Sequence, residues 1–366
     1  MKPPPERRWR PLLERLADDL TPHPLTDPAW RRAFLDTPRH LFVPGFYDDR
    51  GSEPQWIEPG APGWAEAVYT DDSLITQLQR HPAAPGSWWP TSSSSRPSLM
   101  VAMLHALDVG DGDRVLEVGT GTGYNAALLS ARLGEENVVT VDIDPRLTRA
   151  ARDHLAAAGY RPLVVTADGS LGCPEHAPYD RVIATHSVER VPYAWIEQTR
   201  PGGLILVDVR SVGSPRVGHL AHLEVRGDGT AEGGFRLPEP GFFMPARTDL
   251  TTPQRRFPAA MDLREAVERS SAVGSGGLEP SGMAFALWAA VPDVGITSMS
   301  GKALLFTPDG SWATADGTGR VQTAGPRDLW AEVERAHAEW VSAGRPGVEE
   351  YRIEIDLHGQ RITPPK

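Results

Sequence analysis

The sequence predicts an α/β fold built on a parallel sheet with helices on both faces, and three observations carry that expectation. Short apolar runs at Val115 to Val118, Val138 to Val141, Leu163 to Val165, Val182 to Ala184 and Leu204 to Val207 alternate with helical stretches. Such alternation is the pattern of strands covered on both sides by crossover helices. The first run passes directly into Gly119-Thr120-Gly121-Thr122-Gly123, a glycine-rich strand-to-helix turn. Finally, Asp144-Pro145 supplies a capping residue and a first-turn proline, and Gly159 ends the same helix.

The remaining elements follow in chain order. Leu12, Leu13, Leu16 and Leu20 recur at helical spacing from Pro11 to Leu20, and Asp27-Pro28 opens a second helix through Leu35. From Pro44 to Pro90 glycine, proline, tryptophan and acidic residues dominate, with a strand expected only at Ala67 to Tyr69. That is more loop than a compact domain keeps without a use for it. Ser95-Arg96-Pro97 then opens a helix whose Met100, Met103, Leu104 and Leu107 share one face. Past about Pro240 the pattern turns to strands and turns, such as Lys302 to Phe306 and Asp309-Gly310, followed by a helix from Pro326 to Val341. The expected division is an N-terminal helical and loop region (1–90), a core (91–245) and a C-terminal α+β extension (246–366).

The 366 residues are 40% hydrophobic and 23% charged, which suits a globular protein with a real core. A net charge of −11 argues against a general basic field for nucleic acid or anionic lipid. The single cysteine, Cys173, excludes an internal disulfide and a cysteine-rich metal site. Neither the polar start, Met1 to Arg10, nor any later segment reads as a signal peptide or membrane span, so a cytoplasmic protein is expected. His219 and His222, three apart on an extended segment, point to opposite faces, and no metal site is expected.

A glycine-rich turn lets main chain approach a ligand closely. Gly121, Gly123 and Ala126 satisfy a dinucleotide pattern, and Asp142, closing the next strand, suits the ribose hydroxyls of either NAD or S-adenosylmethionine. Three further features favour the methyl donor. Glu117 precedes the glycines, and the run Glu117-x-Gly119-x-Gly121-x-Gly123 resembles motif I of class I methyltransferases, whose sheet is Rossmann-like. Asp168-Gly169 follows the third strand, where that family places an acidic residue near the adenine amine. Pro201-Gly202-Gly203-Leu204 resembles the turn before its fifth strand. The cofactor-binding set implied is Glu117, Gly119, Thr120, Gly121, Gly123, Asp142, Ile143, Asp168 and Gly169.

A narrower resemblance rests on Pro38-Arg39-His40-Leu41-Phe42-Val43-Pro44, Asp168-Gly169-Ser170-Leu171-Gly172, Ala177 to Ile183 and Phe243-Met244-Pro245. These are similar to segments of protein L-isoaspartyl methyltransferases, over about residues 38–245. Where that family carries Thr-Ile-Ser-Gln-Pro, this chain has Ser93-Ser94-Ser95-Arg96-Pro97. The resemblance places Ser95 on the active-site serine and Ser93 on the threonine, with an N-cap as the alternative role for Ser95. Ser94, Arg96 and His186 are candidates for substrate contact, with surface roles as the alternative. A carboxylate, with a reference pKa of about 4, needs no general base at neutral pH, so catalysis should rest on orientation and exclusion of water.

The tail carries Asp309-Gly310-Ser311-Trp312-Ala313, Gly325 to Trp330, Trp340 and Gly344-Arg345-Pro346. It resembles the extensions of methyltransferases of graspetide and lanthipeptide pathways, which implies esterification of an aspartate in a constrained, ribosomally made peptide and then aspartimide formation. A general isoaspartate repair enzyme and a noncatalytic cofactor-binding protein are the alternatives. The extension could equally be a structural or oligomerisation module.

Overall fold

The computed structural model describes the chain apart from residues 1–5, 21–24, 49, 50, 52, 81–85, 213, 215, 216, 236–240, 251–265, 279, 280, 300 and 366. The first five residues of the polar start and the change of pattern at Pro240 thus lie outside the described residues. Two compact units emerge: Met1–His186, Ala194–Leu206 and Ala246–Pro253 form one, and Ser187–Tyr193, Val207–Pro245 and Gln254–Lys366 the other.

The first unit opens with α1 (Glu6–Asp19) and α2 (Pro28–Asp36). Asp27 caps α2 by accepting from Ala29 N at 2.7 Å and Trp30 N at 3.3 Å. Beyond them the structure departs from the expected loop. Strands β1 (Phe46–Asp48), β2 (Gln55–Ile57), β3 (Leu74–Arg80) and β4 (Trp88–Ser94) form an antiparallel sheet in the order β2-β1-β3-β4. Ala67 to Tyr69, expected as a strand, belongs instead to the end of helix α3 (Trp64–Val68), where Trp64 and Val68, four apart, bury on one side. Strands of three residues carry too little alternation to be read locally, and Pro90 sits on an edge strand, where a missing N–H is tolerated.

Helix α4 (Pro97–Ala106) leads to the predicted alternation: β5 (Val115–Val118), α5 (Tyr124–Leu133), β6 (Val138–Asp142), α6 (Pro145–Ala158), β7 (Leu163–Thr166), β8 (Tyr179–Val188), α7 (Tyr193–Glu197) and β9 (Thr199–Arg210). Strands β8, β5, β6 and β7 are adjacent and parallel, with Val115 opposite both Val138 and Arg181. The chain leaves β5 toward β6 on one side and returns to β8 on the other. Such a reversal opens a crevice at the carboxyl ends of the strands. Asp144 caps α6 through Arg146 N, and Gly159 closes it in the left-handed conformation, as read from sequence.

The second unit holds the end of β9 with β10 (Gly218–Val225), β11 (Ala231–Phe235), β12 (Val267–Ser270), α8 (Ser281–Ala290), β13 (Gly295–Met299), β14 (Lys302–Phe306), β15 (Trp312–Ala315), β16 (Arg320–Ala324), α9 (Leu329–Ser342), β17 (Arg352–Asp356) and β18 (Gly359–Thr363). One five-stranded sheet runs β12-β16-β15-β14-β13. Helix α9 starts after its cap Asp328 rather than at Pro326, because the Asp328 carboxylate accepts from Trp330 N and Ala331 N. Elsewhere β11 pairs antiparallel with β17, Ala231 opposite Ile355. The two units are therefore not separated by one cut at residue 245.

Candidate active site

The crevice at β5 is lined from the sequence motif outward. Glu117 is fully buried and takes a hydrogen bond from Asn125 Nδ2 at 2.8 Å and another from Thr140 Oγ1 at 2.5 Å. Thr140 spends its one proton there, so Thr120 Oγ1 donates to Thr140 Oγ1 at 2.7 Å. Burial pushes the Glu117 carboxyl up to about 7, although both side-chain hydrogen bonds pull the other way. Gly119 has φ 102°, and a Cβ there would lie 2.6 Å from Thr185 Oγ1. Gly123, at φ 86°, starts α5 with no side-chain cap, and a Cβ would meet Ala151 of α6 at 3.2 Å. Main chain and the first N–H groups of α5 therefore form the floor of the crevice, a setting that suits an anionic group.

Asp142 ends β6 with its carboxylate held from both sides: Gly121 N donates to Oδ2 at 2.9 Å and Asp144 N to Oδ1 at 3.0 Å. Burial raises its pKa while these two bonds lower it. A carboxylate has about four acceptor sites, so two remain for hydroxyls of a ligand. Ile143 is half-buried in the bend before α6. Asp168 caps the short turn Gly169–Leu171 through Ser170 N at 2.9 Å. Gly169 lies over β5, where a Cβ would fall 2.4 Å from Val118 Cγ1. These contacts bring the expected cofactor residues to one end of β5, β6 and β7. A close-approach glycine floor and two carboxylates at successive strand ends fit a nucleoside-bearing methyl donor.

The serine segment reaches the same place from β4. Ser93 is half-buried, and its carbonyl oxygen lies 3.7 Å from where a Cβ on Gly121 would sit. Ser94 departs from the expected substrate contact: it is buried, and its hydroxyl accepts from Arg39 Nε at 3.2 Å. Nor is Ser95 the helix cap. Arg96 holds that position with ψ 126°, as the residue before Pro97 must stay extended, and Asp71 Oδ1 accepts from Ser98 N at 2.8 Å instead. Arg96 N donates to Ser73 Oγ at 3.1 Å.

Arg39 is the residue whose role the motif concealed. It is fully buried and donates to the carbonyls of Val68, Thr70, Asp72, Ser94 and Ser95, at 2.8 to 3.1 Å, besides the Ser94 hydroxyl. Burial lowers its pKa to about 10, which leaves it charged at neutral pH. Its fork clamps the end of β4 to the segment after α3. The neighbouring His40 bonds Tyr69 OH through Nδ1 at 2.6 Å, and burial pushes its pKa down to about 4.

Among the weaker candidates, His186 ends its part of β8 beside the glycine loop, its Cδ2 3.2 Å from the Gly119 Cβ position and its ring 6.2 Å from Trp195. Cys173 is buried, and burial raises its pKa, which disfavours the thiolate. His219 and His222 sit on β10, and no cluster of metal-ligating side chains occurs among the described residues. No helix among them is long and apolar enough to cross a membrane.

Comparison with known proteins gives the family. The family model described as Protein-L-isoaspartate(D-aspartate) O-methyltransferase matches residues 62–231. A Protein-L-isoaspartate O-methyltransferase 1 of Archaeoglobus fulgidus is 33% identical over 206 residues, 56% of this chain and 80% of that protein. A Protein-L-isoaspartate O-methyltransferase of Thermococcus onnurineus is 35% identical over 50% of this chain and 70% of its own length. That of Ignicoccus hospitalis is 42% identical over 117 residues, and the match spans 56% of its length. A solved structure titled protein-L-isoaspartate O-methyltransferase shares the fold with a TM-score of 0.56 at 23% identity, covering 96% of this chain and 99% of that one. With the glycine floor, Glu117 and Asp142 in place, the chain belongs to the protein-L-isoaspartate O-methyltransferase family, carboxyl O-methyltransferases that use S-adenosyl-L-methionine.

Proposed function

We propose that the chain methylates the free carboxylate of isoaspartyl residues in peptides and proteins. The observation that carries this reading is the approach of the Ser93 main chain to Gly121, which sets an acceptor segment against a donor loop. When bound, S-adenosylmethionine supplies a methyl group on a positively charged sulfonium. Gly119 to Gly123 and the α5 N-terminus hold the carboxylate of its amino-acid end, Asp142 takes the ribose hydroxyls, and Asp168 faces the adenine. Ser95 and Ser93 orient the acceptor, with His186 and Arg96 beside them, and Arg39 keeps the serine segment in register. An acceptor carboxylate is already ionised at neutral pH, so the residues need only align it and exclude water. Mass spectrometry of one peptide sequence in its isoaspartyl and aspartyl forms tests the reading: one added methyl on the isoaspartyl form alone is expected. Methylation of neither form refutes it.

A second reading, esterification of an ordinary aspartate in a constrained ribosomal peptide, is favoured by the Ser93 to Arg96 departure from the family pattern and by the tail motifs. There the backbone nitrogen following the ester attacks its carbonyl, and methoxide leaves as methanol with the amide proton, closing an aspartimide. The extension alone no longer recommends it, because the fold likeness to an isoaspartyl enzyme covers 96% of this chain. Gain of one methyl followed by net loss of one water on the aspartyl form would favour it.

A further inference from the structure

The stretch from Pro44 to Pro90, read as loop, is a sheet whose cross-strand register lines up one row of side chains. Trp56 stands opposite Tyr47, Tyr47 opposite Ile75, and Ile75 opposite Ser93. Residues paired in this way project from the same side of a sheet. On the other side Phe46, Leu74 and Ser94 are buried, while Asp48 and Ile57 are half-buried and Gln55 is exposed. The row itself stays open, with Tyr47, Ile75 and Ser93 half-buried and Trp56 40% exposed. Exposure has not left the Trp56 ring loose. It meets Tyr47 edge-on at 4.9 Å, and it lies so close to the main chain at Gly45 that a Cβ there would come within 2.2 Å of Trp56 Cζ2. At its inner end the row reaches Ser93, whose main-chain oxygen lies 3.7 Å from where a Cβ on Gly121 of the donor loop would sit.

We infer that this row is a docking track for the peptide that flanks the methylated carboxylate, and that it selects an apolar or aromatic side chain at a fixed distance from it. The inference rests on the peptide-substrate reading above. Continuity with the donor loop names the occupant, since an acceptor carboxylate seated near Ser93 has its own chain leading away along the surface next to it. The distance follows from sheet geometry. From β4 to β2 there are three interstrand steps of about 4.8 Å, roughly 14 Å in all, and an extended peptide rises about 3.3 Å per residue. The selected side chain therefore lies about four residues from the acceptor. An anchored aromatic with little rotamer freedom is an effective peptide contact.

The test uses the full chain and two series of synthetic peptides, one isoaspartyl and one aspartyl, in which a single tryptophan is walked outward one position at a time through a glycine-serine background. The expected result is a lowest KM with tryptophan about four residues from the acceptor, roughly ten-fold below the peptide lacking it, the effect confined to KM. Trp56→Ala should flatten that positional preference, Trp56→Phe should keep most of it, and calorimetry should give one S-adenosylhomocysteine affinity for all three proteins. A preference that survives Trp56→Ala, or a fall in cofactor affinity that tracks the loss in peptide affinity, overturns the track. If the wild type methylates neither series, the substrate reading itself fails. Binding of the same peptides, fluorescently labelled, then decides the track, and absence of a Trp56-dependent positional preference overturns it too.

Discussion

Replacing Glu117 by glutamine probes the electrostatics of the donor loop. The folded carboxyl titrates at about 7, driven up by burial, against 4.5 as its ordinary value. A folded pKa above the unfolded one means that the native state holds the proton more tightly. Stability from this group is therefore fully present below about pH 4.5 and is lost as pH rises through about 7. A difference of that size amounts to about 3 kcal/mol once the group is ionised in both states. Glutamine preserves the shape: its carbonyl accepts from Asn125 Nδ2, and its amide donates to Thr140 Oγ1 after that hydroxyl turns. The variant should match the wild type near pH 4 and exceed it near pH 8, with a urea midpoint higher by about 1 M at a slope near 3 kcal/mol per molar. Cofactor affinity should behave oppositely. Ionised Glu117 attracts the cationic donor, so wild-type affinity rises between about pH 6 and pH 8, while that of the variant stays level. Urea titrations and calorimetry across that range check both, and pH profiles that run parallel in the two proteins would refute the buried-carboxyl argument.

Three further outcomes are expected. Asp142→Ala should weaken S-adenosylmethionine by about 1.5–3 kcal/mol in calorimetry, the range for a charged hydrogen bond, and unchanged affinity in a folded variant contradicts the ribose assignment. Arg39→Met leaves five carbonyls without their donor and should cost at least about 3 kcal/mol, read as a large fall in thermal midpoint. If methyl transfer survives in the folded fraction at the wild-type rate, Arg39 does not position the serines. A chain ended at residue 245 loses β17 and bares the edge of β11, so it should be recovered as aggregate rather than as a cofactor-binding core, and a soluble, monodisperse product would show the opposite.

Much of the catalytic core was legible because its signals are local. The apolar runs of β5 to β8, the Asp144 and Gly159 helix ends and the glycine turn each depend on residues within a few positions, where period, capping and backbone conformation act. Glu117 and the glycines share one strand-turn-helix unit, so chain connectivity alone brings them together, and Asp142 follows at the end of the next strand. Only tertiary structure decided the rest. The partners of Arg39 lie 29 to 56 residues along the chain, so nothing near Pro38 announces a buried guanidinium clamp. Ser94 and Ser95 read alike in sequence, yet burial of one hydroxyl on Arg39 separates them. The β1 to β4 sheet escaped detection for the same cause: its strands are short, and they are stabilised by cross-strand pairs such as Tyr47 with Trp56, whose proximity exists only once distant segments have been brought into register.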